Sequence, residues 1–595
     1  MTRVVTGLAL GALLAGLVVM PAASAPPPGP FAFGGVIEGS YGPTWTHADR
    51  SAMLAWMARH GLSTYVHAPK NDPYQRSQWR DAYPSAEMAD FRSEIAAARR
   101  TGVDWVPNVS PGVPLIPSVA VPQGLLSTDI CFSCPADVVA LEGKLEPFFR
   151  AGSRTLMVSF DDVQKVSTHP EDAAAYGTGD AAYGEMTRDL LNTVQRHFQQ
   201  RSGRTPFHLL TVLADYSGTK DTSYLRGVRS GHGLDHAIRV LWTGIEVVSP
   251  QIRSSDARAY ARLVGEPRVG LWDNYPANDV NGNAVDDRTV RLFLGPYDGR
   301  SRDLDTAVSG IVINGMNQPW ANRFVLGTLS RYVADPRHYQ PEAAWQATIR
   351  DLGGGSAERT AALAALAENS RSSALDRTES IAFTDARDRF VTALAGPDWP
   401  SAATDLEQLL TRVAWASSVL PRLAPALQAE AARFVQQLGT EAAVGRAAVA
   451  LLSAQRPALA ARVTDGRVVG VATPPDAVAV PQLLAALQAL QGQSLANPSF
   501  VFGDRVNPSL SNPTTTGQLY ARDNRMDDLA TAALTMTTSW LVEAARAASS
   551  VTITVDGKVV PLATDGTYSV VVGPGRHLVV ATDGAGHQTG VRVAL

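Results

Sequence analysis

Two adjacent acids, Asp161 and Asp162, close the apolar run Leu156-Met157-Val158-Ser159-Phe160. Such a run reads as a buried strand, which puts the pair where strand passes into loop. Neighbouring side chains on a regular strand point to opposite faces, so both carboxylates reach one cleft only if the chain bends there. Two carboxylates held close cannot both ionise freely, and the one pushed toward its protonated form can act as a general acid. Taken alone, an Asp-Asp after a strand is more often a solvated loop or a helix cap than a site.

Its company changes that balance. Chemistry-bearing residues recur in Val36-Ile37-Glu38-Gly39-Ser40-Tyr41-Gly42, in Ala68-Pro69-Lys70-Asn71-Asp72-Pro73-Tyr74 and in Leu271-Trp272-Asp273-Asn274-Tyr275-Pro276-Ala277-Asn278-Asp279, with Asn314 further on. In this order, and over roughly residues 31–340, they resemble family 84 of the glycoside hydrolases, the O-GlcNAcase-type β-N-acetylglucosaminidases. The resemblance implies exo-hydrolysis of terminal β-linked N-acetylglucosamine with retention. The sugar's own 2-acetamido oxygen attacks the anomeric carbon and forms an oxazoline, an exception to the two-carboxylate scheme. Neither an enzyme nucleophile nor a cofactor is needed.

The same resemblance implies roles, position by position. Asp161 would hold the acetamido N–H, and Asp162 would be the general acid and then the base for water. Gly39 would offer its carbonyl to a sugar hydroxyl at a point of close approach, though a plain turn glycine is the competing reading. Lys70 would contact a hydroxyl, Tyr216 the acetamido oxygen and the anomeric region, and Trp272 would form an aromatic wall. Asn274 would meet the acetamido group, Asp279 the outer hydroxyls and Asn314 a ring hydroxyl, with Thr243 and Val247 completing the substrate-binding set. Three departures from the family pattern leave pocket size open: Asn71 after Lys70, Val212 in place of a common cysteine, and Ser40 in place of an aromatic residue. Two alternatives compete with this reading, a glycan-binding protein on an inactivated barrel and a hexosaminidase acting on hyaluronan- or chitin-type glycans. Asp162 argues against the first. The absence of Asp-Glu or Asp-x-Asp-x-Glu after the fourth strand argues against the usual form of the second.

The elements that must position these residues follow from periodicity alone. Strands are predicted at Phe33–Ile37, Thr64–Ala68, Val103–Val109, Arg154–Phe160, Phe207–Val212, Arg239–Trp242, Arg268–Trp272 and Gly310–Ile313. Helical stretches lie between them; the first opens on Thr46-His47-Ala48-Asp49, a capping box, and buries Met53, Leu54 and Met57. Eight strands alternating with helices predict a (β/α)8 TIM barrel over 31–340. Gly39, Lys70, Asp161, Asp162, Thr243, Asn274 and Asn314 fall just after strands, at the rim where such barrels carry their sites. Beyond it, Thr404-Asp405-Leu406-Glu407 reads as a second capping box, and Leu406, Leu409, Leu410 and Val413 as a buried stripe. A helical bundle is expected over 341–455, then a mostly helical region over 456–550 with a strand pair near 462–471 and an Asn/Pro/Thr-rich loop over 497–516. A small Ig-like β module is expected over 551–595, with Asp556-Gly557, Asp565-Gly566 and Asp583-Gly584 as turns.

Composition bounds the rest. The 595 residues exceed one core, and 45% hydrophobic with 18% charged residues is ordinary globular protein. A net charge of −4 without a dense Lys/Arg run gives nucleic-acid binding no support. Arg3, the apolar stretch from Val4 to Val19 and Ala23-Ser24-Ala25 read as a signal peptide over residues 1–25, so a secreted protein without a membrane span after cleavage is expected. Its partners would be glycans or glycoproteins bearing N-acetylglucosamine. Cys131 and Cys134 suit a local disulfide better than a zinc half-site. The stretch 281–287 has some calcium-loop character but lacks a closing Glu, and His232 with His236, which could meet on a helix, lack a third ligand, so no metal is expected.

Overall fold

The computed structural model describes residues 30–113, 129–279, 291–373, 375–376, 380–496, 525–547 and 550–595. The expected signal peptide over 1–25, the 281–287 stretch and the loop over 497–516 lie outside them. Eight parallel strands close into a barrel: β1 Phe33–Glu38, β2 Thr64–His67, β3 Asp104–Val109, β4 Thr155–Ser159, β5 His208–Val212, β6 Ile238–Trp242, β7 Val269–Asp273 and β8 Val308–Asn314. Each lies within two residues of its predicted bounds. Closure comes from β1 pairing with β8, in a register that sets Ile37 beside Asn314.

Alternation along the strands sorts side chains into two cores. Ile37, Val66, Met157, Leu210, Trp272 and Val312 point inward and fill the barrel. The intervening Val36, Leu156, Val158 and Phe160 point outward, against the helices. The first helix, His47–Arg59, starts as the sequence requires, with Thr46 and Asp49 forming a reciprocal capping box. On its inner face Arg50 is buried against Glu94 at 2.9 Å.

Helices continue past the barrel at Pro341–Gly353, Ala357–Glu368, Ile381–Ala393, Trp399–Leu423 and Pro425–Ala454. Leu406, Leu409, Leu410 and Val413 are buried as a stripe, but the helix begins at Trp399, so the expected capping box at Thr404 is inside it. Pro400 occupies the first turn, where its missing N–H costs nothing, and the Thr404 hydroxyl donates back to the Pro400 carbonyl at 2.9 Å. The bundle also grips the barrel. Glu430 accepts the backbone N–H groups of Trp320 and Ala321 at 2.9 and 2.7 Å, where the helix Asn322–Ala334 leaves β8. Among the described residues no helix is long and apolar enough to cross a membrane.

The β structure at the C-terminal end differs from the expected boundary. A hairpin of β9 Ala458–Thr464 and β10 Arg467–Thr473 is followed by the helices Ala479–Ala496 and Arg525–Ala547. Then come β11 Val551–Val555, β12 Lys558–Val560, β13 Thr567–Val571, β14 Arg576–Asp583 and β15 Gln588–Ala594. Strand β13 pairs with β10, not with its sequence neighbours, giving one sheet in the order β13-β10-β9 and another in the order β12-β11-β14-β15. Val468, Ala472, Ile553, Tyr568 and Val579 form the core between them. Residues 551–595 are thus one part of a two-sheet unit, because without them β10 keeps only β9, loses β13, and leaves Val468 uncovered. The unit also docks on the bundle, where Trp399 Nε1 donates to Thr589 Oγ1 at 3.1 Å. Deleting 551–595 should lower the thermal unfolding midpoint by several degrees and raise light scattering through the bared β10 edge; an unchanged melt with no scattering would show that the hairpin stands alone.

Candidate active site

The bend demanded by the acidic pair is present. Met157 points into the barrel and Phe160 out of it, so Asp161 continues the inward row and a regular Asp162 would face the helices. Asp162 instead takes φ +53°, a left-handed conformation that turns its carboxylate back over the mouth. For a residue with a Cβ this costs about 1–2 kcal/mol. Asp161 is buried and Asp162 half-buried, one below the other.

Each acid has its own partners. Asp161 Oδ2 pairs with Lys70 Nζ from the loop after β2, both side chains being more than nine-tenths buried. Its other oxygen, Oδ1, is buried with no hydrogen-bond partner among the described residues. Asp162 Oδ1 accepts from the Tyr216 hydroxyl at 2.9 Å, and Oδ2 from the Tyr41 hydroxyl at 3.0 Å. Lys70 Nζ also lies over the Trp272 ring, 5.3 Å from its centroid.

The remaining positions form a chain of hydrogen bonds around the mouth. The Gly39 N–H donates to Asn314 Oδ1 at 3.1 Å, Asn314 Nδ2 to Asn274 Oδ1 at 2.9 Å, and Trp272 Nε1 to the same Asn274 oxygen at 2.8 Å. Asn274 Nδ2 donates to the Val247 carbonyl at 2.8 Å. The Tyr41 N–H donates to Asp279 Oδ2 at 2.7 Å. Gly39 is there for space: a Cβ would sit 2.7 Å from Trp272 and 3.1 Å from Asn314. Thr243 is brought to the same wall, but its buried hydroxyl donates to the Glu246 carbonyl at 3.0 Å and shapes the loop. Ser40 spends its hydroxyl on the Gly315 carbonyl, 2.5 Å away, and Val212 is buried in the inner core on which Tyr216 packs.

Burial pushes the Asp162 carboxyl up, but Lys70, the Tyr216 hydroxyl, Arg76 and the Tyr41 hydroxyl together bring it below the ordinary value. These partners therefore favour Asp162 as a carboxylate. Asp279 goes the other way: burial, with a smaller push from Asp162 and against the Tyr41 N–H, raises it to about 6. Both tyrosine hydroxyls are driven up, first by burial and then by Asp162, so they stay protonated as donors.

A family model described as beta-N-acetylglucosaminidase matches residues 34–368, more than half of the chain. The chain belongs to that family. The rat and mouse proteins named Protein O-GlcNAcase are each 29% identical to it over 304 residues, which is 50% of this β-N-acetylglucosaminidase-family chain and 29% of theirs. The chain thus spans under a third of the length of these relatives. A point mutant of an O-GlcNAc hydrolase from Thermobaculum terrenum shares the fold with a TM-score of 0.67 at 22% identity, covering 87% of this chain and 97% of that one.

For this family member, two functional side chains lay outside the sequence reading. Tyr41 sits in the first motif, but its target Asp162 is 121 positions away, and Arg76, which reaches the Tyr41 hydroxyl at 3.4 Å, lies just past the second motif. The other polar clusters behave as scaffold. Cys131 and Cys134 are joined in a disulfide at the start of the helix Pro135–Ala151, and with Glu171 they are the one group of three potential metal ligands among the described residues. His232 and His236 lie in a turn, not on a helix, and His236 faces Glu266 at 3.4 Å. Gly39→Ala should lower the thermal unfolding midpoint by a few degrees and cut kcat/KM by more than about tenfold, because its Cβ displaces Trp272 or Asn314 from the wall; a wild-type melt with wild-type kinetics would show that the close approach is not used.

Proposed function

We propose that this protein is an exo-β-N-acetylglucosaminidase of O-GlcNAcase type that acts with retention through an oxazoline. The observation that carries the reading is Asp161: one oxygen is held by Lys70, and the other is buried without a hydrogen-bond partner among the described residues. A buried acceptor left open costs roughly 1–3 kcal/mol. An acetamido N–H would fill it and turn the acetamido oxygen toward the anomeric carbon. Asp162, above it, meets the glycosidic oxygen. Entry of the sugar excludes water and adds burial, which moves Asp162 toward the protonated form it must have to release the leaving group. Tyr216 and Tyr41 then hold the carboxylate formed, ready to take a proton from water.

On this reading Lys70, Asn314 and the Gly39 carbonyl would contact ring hydroxyls, Asn274 the acetamido group, and Asp279 the outer hydroxyls, with Trp272 as the apolar wall. Thr243 and Val247 act through the loop and carbonyl that orient Asn274. The substrates would be glycans or glycoproteins with terminal β-linked N-acetylglucosamine. We also propose export, supported by the signal-like residues 1–25 and by a disulfide suited to an oxidising compartment; recovery of chain trimmed near residue 25 from the medium tests it.

Asp162→Ala should slow hydrolysis of an alkyl N-acetylglucosaminide by about 10²–10⁴-fold while sparing an activated aryl glycoside, whose leaving group needs little protonation. Equal losses on both would remove Asp162 as the acid, and a sugar trapped covalently on any carboxylate would remove the oxazoline route. Asp279 supplies a pH test. As pH falls through about 6 its carboxylate gains a proton and loses charge-assisted acceptance from the outer hydroxyls. KM should therefore rise on the acid side, and Asp279→Asn should raise KM at neutral pH and flatten that limb; an unaltered limb in the variant would assign it elsewhere.

A further inference from the structure

A second polar cavity lies outside the barrel, among the helices His47–Arg59, Asn322–Ala334, Pro341–Gly353 and Ala357–Glu368, with a volume of about 270 Å³. Four arginines line it: Arg59, Arg323, Arg331 and Arg359. Arg331 is matched by Asp351 at 2.5 Å and Arg59 is exposed at the rim, whereas Arg323 and Arg359, set deeper, have no acidic partner at ion-pair distance among the described residues. Arg323 and Arg359 both approach the Trp320 ring, at 5.4 and 5.9 Å from its centroid, so one indole fixes two guanidiniums side by side. The Nε atoms of both are buried without a hydrogen-bond partner among the described residues.

That arrangement is costly as it stands. Burial, with the charges of Arg59 and Arg359 and against the pull of Glu430, presses Arg323 down to about 10. Glu430 is a weak counter-ion, because burial raises it to about 8 and its oxygens already accept the Trp320 and Ala321 N–H groups. A guanidinium keeps its charge at neutral pH, so the strain is relieved by an anion rather than by deprotonation.

We propose that this cavity binds a tetrahedral oxyanion, a sulfate or phosphate group, between Arg323, Arg359 and Arg59. Such a group has enough acceptor oxygens to meet several guanidinium forks at once, which chloride lacks. The cavity volume exceeds that of one oxyanion, leaving room for a group carried on a sugar as well as for the free ion. None of its lining residues belongs to the catalytic pocket, so occupation is independent of the glycosidase reading.

The test is isothermal titration of the full chain, supported by fluorescence of Trp56 and Trp320 in the cavity wall, with sodium sulfate, sodium phosphate and N-acetylglucosamine 6-sulfate at matched ionic strength. Sulfate or phosphate should bind with Kd of about a millimolar or tighter while chloride and acetate do not. Arg323→Gln and Arg359→Gln should each weaken binding by about tenfold or more, with activity on a small aryl glycoside unchanged. Tighter binding of the sugar sulfate than of sulfate identifies a glycan-borne group, and equal or weaker binding identifies the free ion. Absence of oxyanion binding to wild type at about 50 mM, equal binding of chloride, or unchanged binding in folded variants would each overturn the proposal. If either variant melts early, the wild-type titration alone still decides.

Discussion

The ion pair between Lys70 and Asp161 is the contact on which the site depends. Two opposite charges sit more than nine-tenths buried at the barrel mouth, one from the loop after β2 and one from the end of β4. Neither charge would be tolerated there alone, since breaking a buried pair by removing one partner typically costs about 3–5 kcal/mol. The pair therefore fixes where Asp161 Oδ1 is open, spreads positive potential to Asp162, and seats the Lys70 stem against Trp272. Stability and chemistry share these atoms.

Strain and pairing divide the work between the two acids. The left-handed backbone at Asp162 spends about 1–2 kcal/mol to defeat strand alternation, and two tyrosine hydroxyls then hold the turned carboxylate. Tyr41 has a double role, because its N–H also holds Asp279. One residue thus links the carboxylate over the barrel mouth to the one on the far side of the pocket. The opposite shifts of Asp162 and Asp279 follow from their partners. Cationic and hydroxyl neighbours favour the charged form of the first, and Asp279 lacks enough of them to offset its burial.

Much of the barrel was legible because inward and outward apolar residues alternate with helical stretches, and no distant fact is needed to see it. The strand-end positions of Gly39, Lys70, Asp161 and Asn274 came from that same pattern. Pairings between remote segments were not legible. Tyr41 looks like a motif tyrosine until Asp162 bends back toward it. Thr404 satisfied a local capping rule and was overruled by Pro400, which starts the helix earlier. The β unit was bounded too narrowly because β10 finds its partner about a hundred residues later, across two helices. Thr243 had the right position, but only its neighbours reveal that its hydroxyl is already engaged.

The seam between β1 and β8 has a consequence for the order of events during synthesis. Gly39 donates to a side chain 275 positions further on, so a nascent chain has made its first motif long before the residue that completes it exists. Until β8 emerges, β1 presents an unpaired edge, and loop closure over that span is paid late. The pocket has no half-built version. It arises in the step that seals the barrel, and a chain stalled before residue 314 would carry both aspartates without a place to use them.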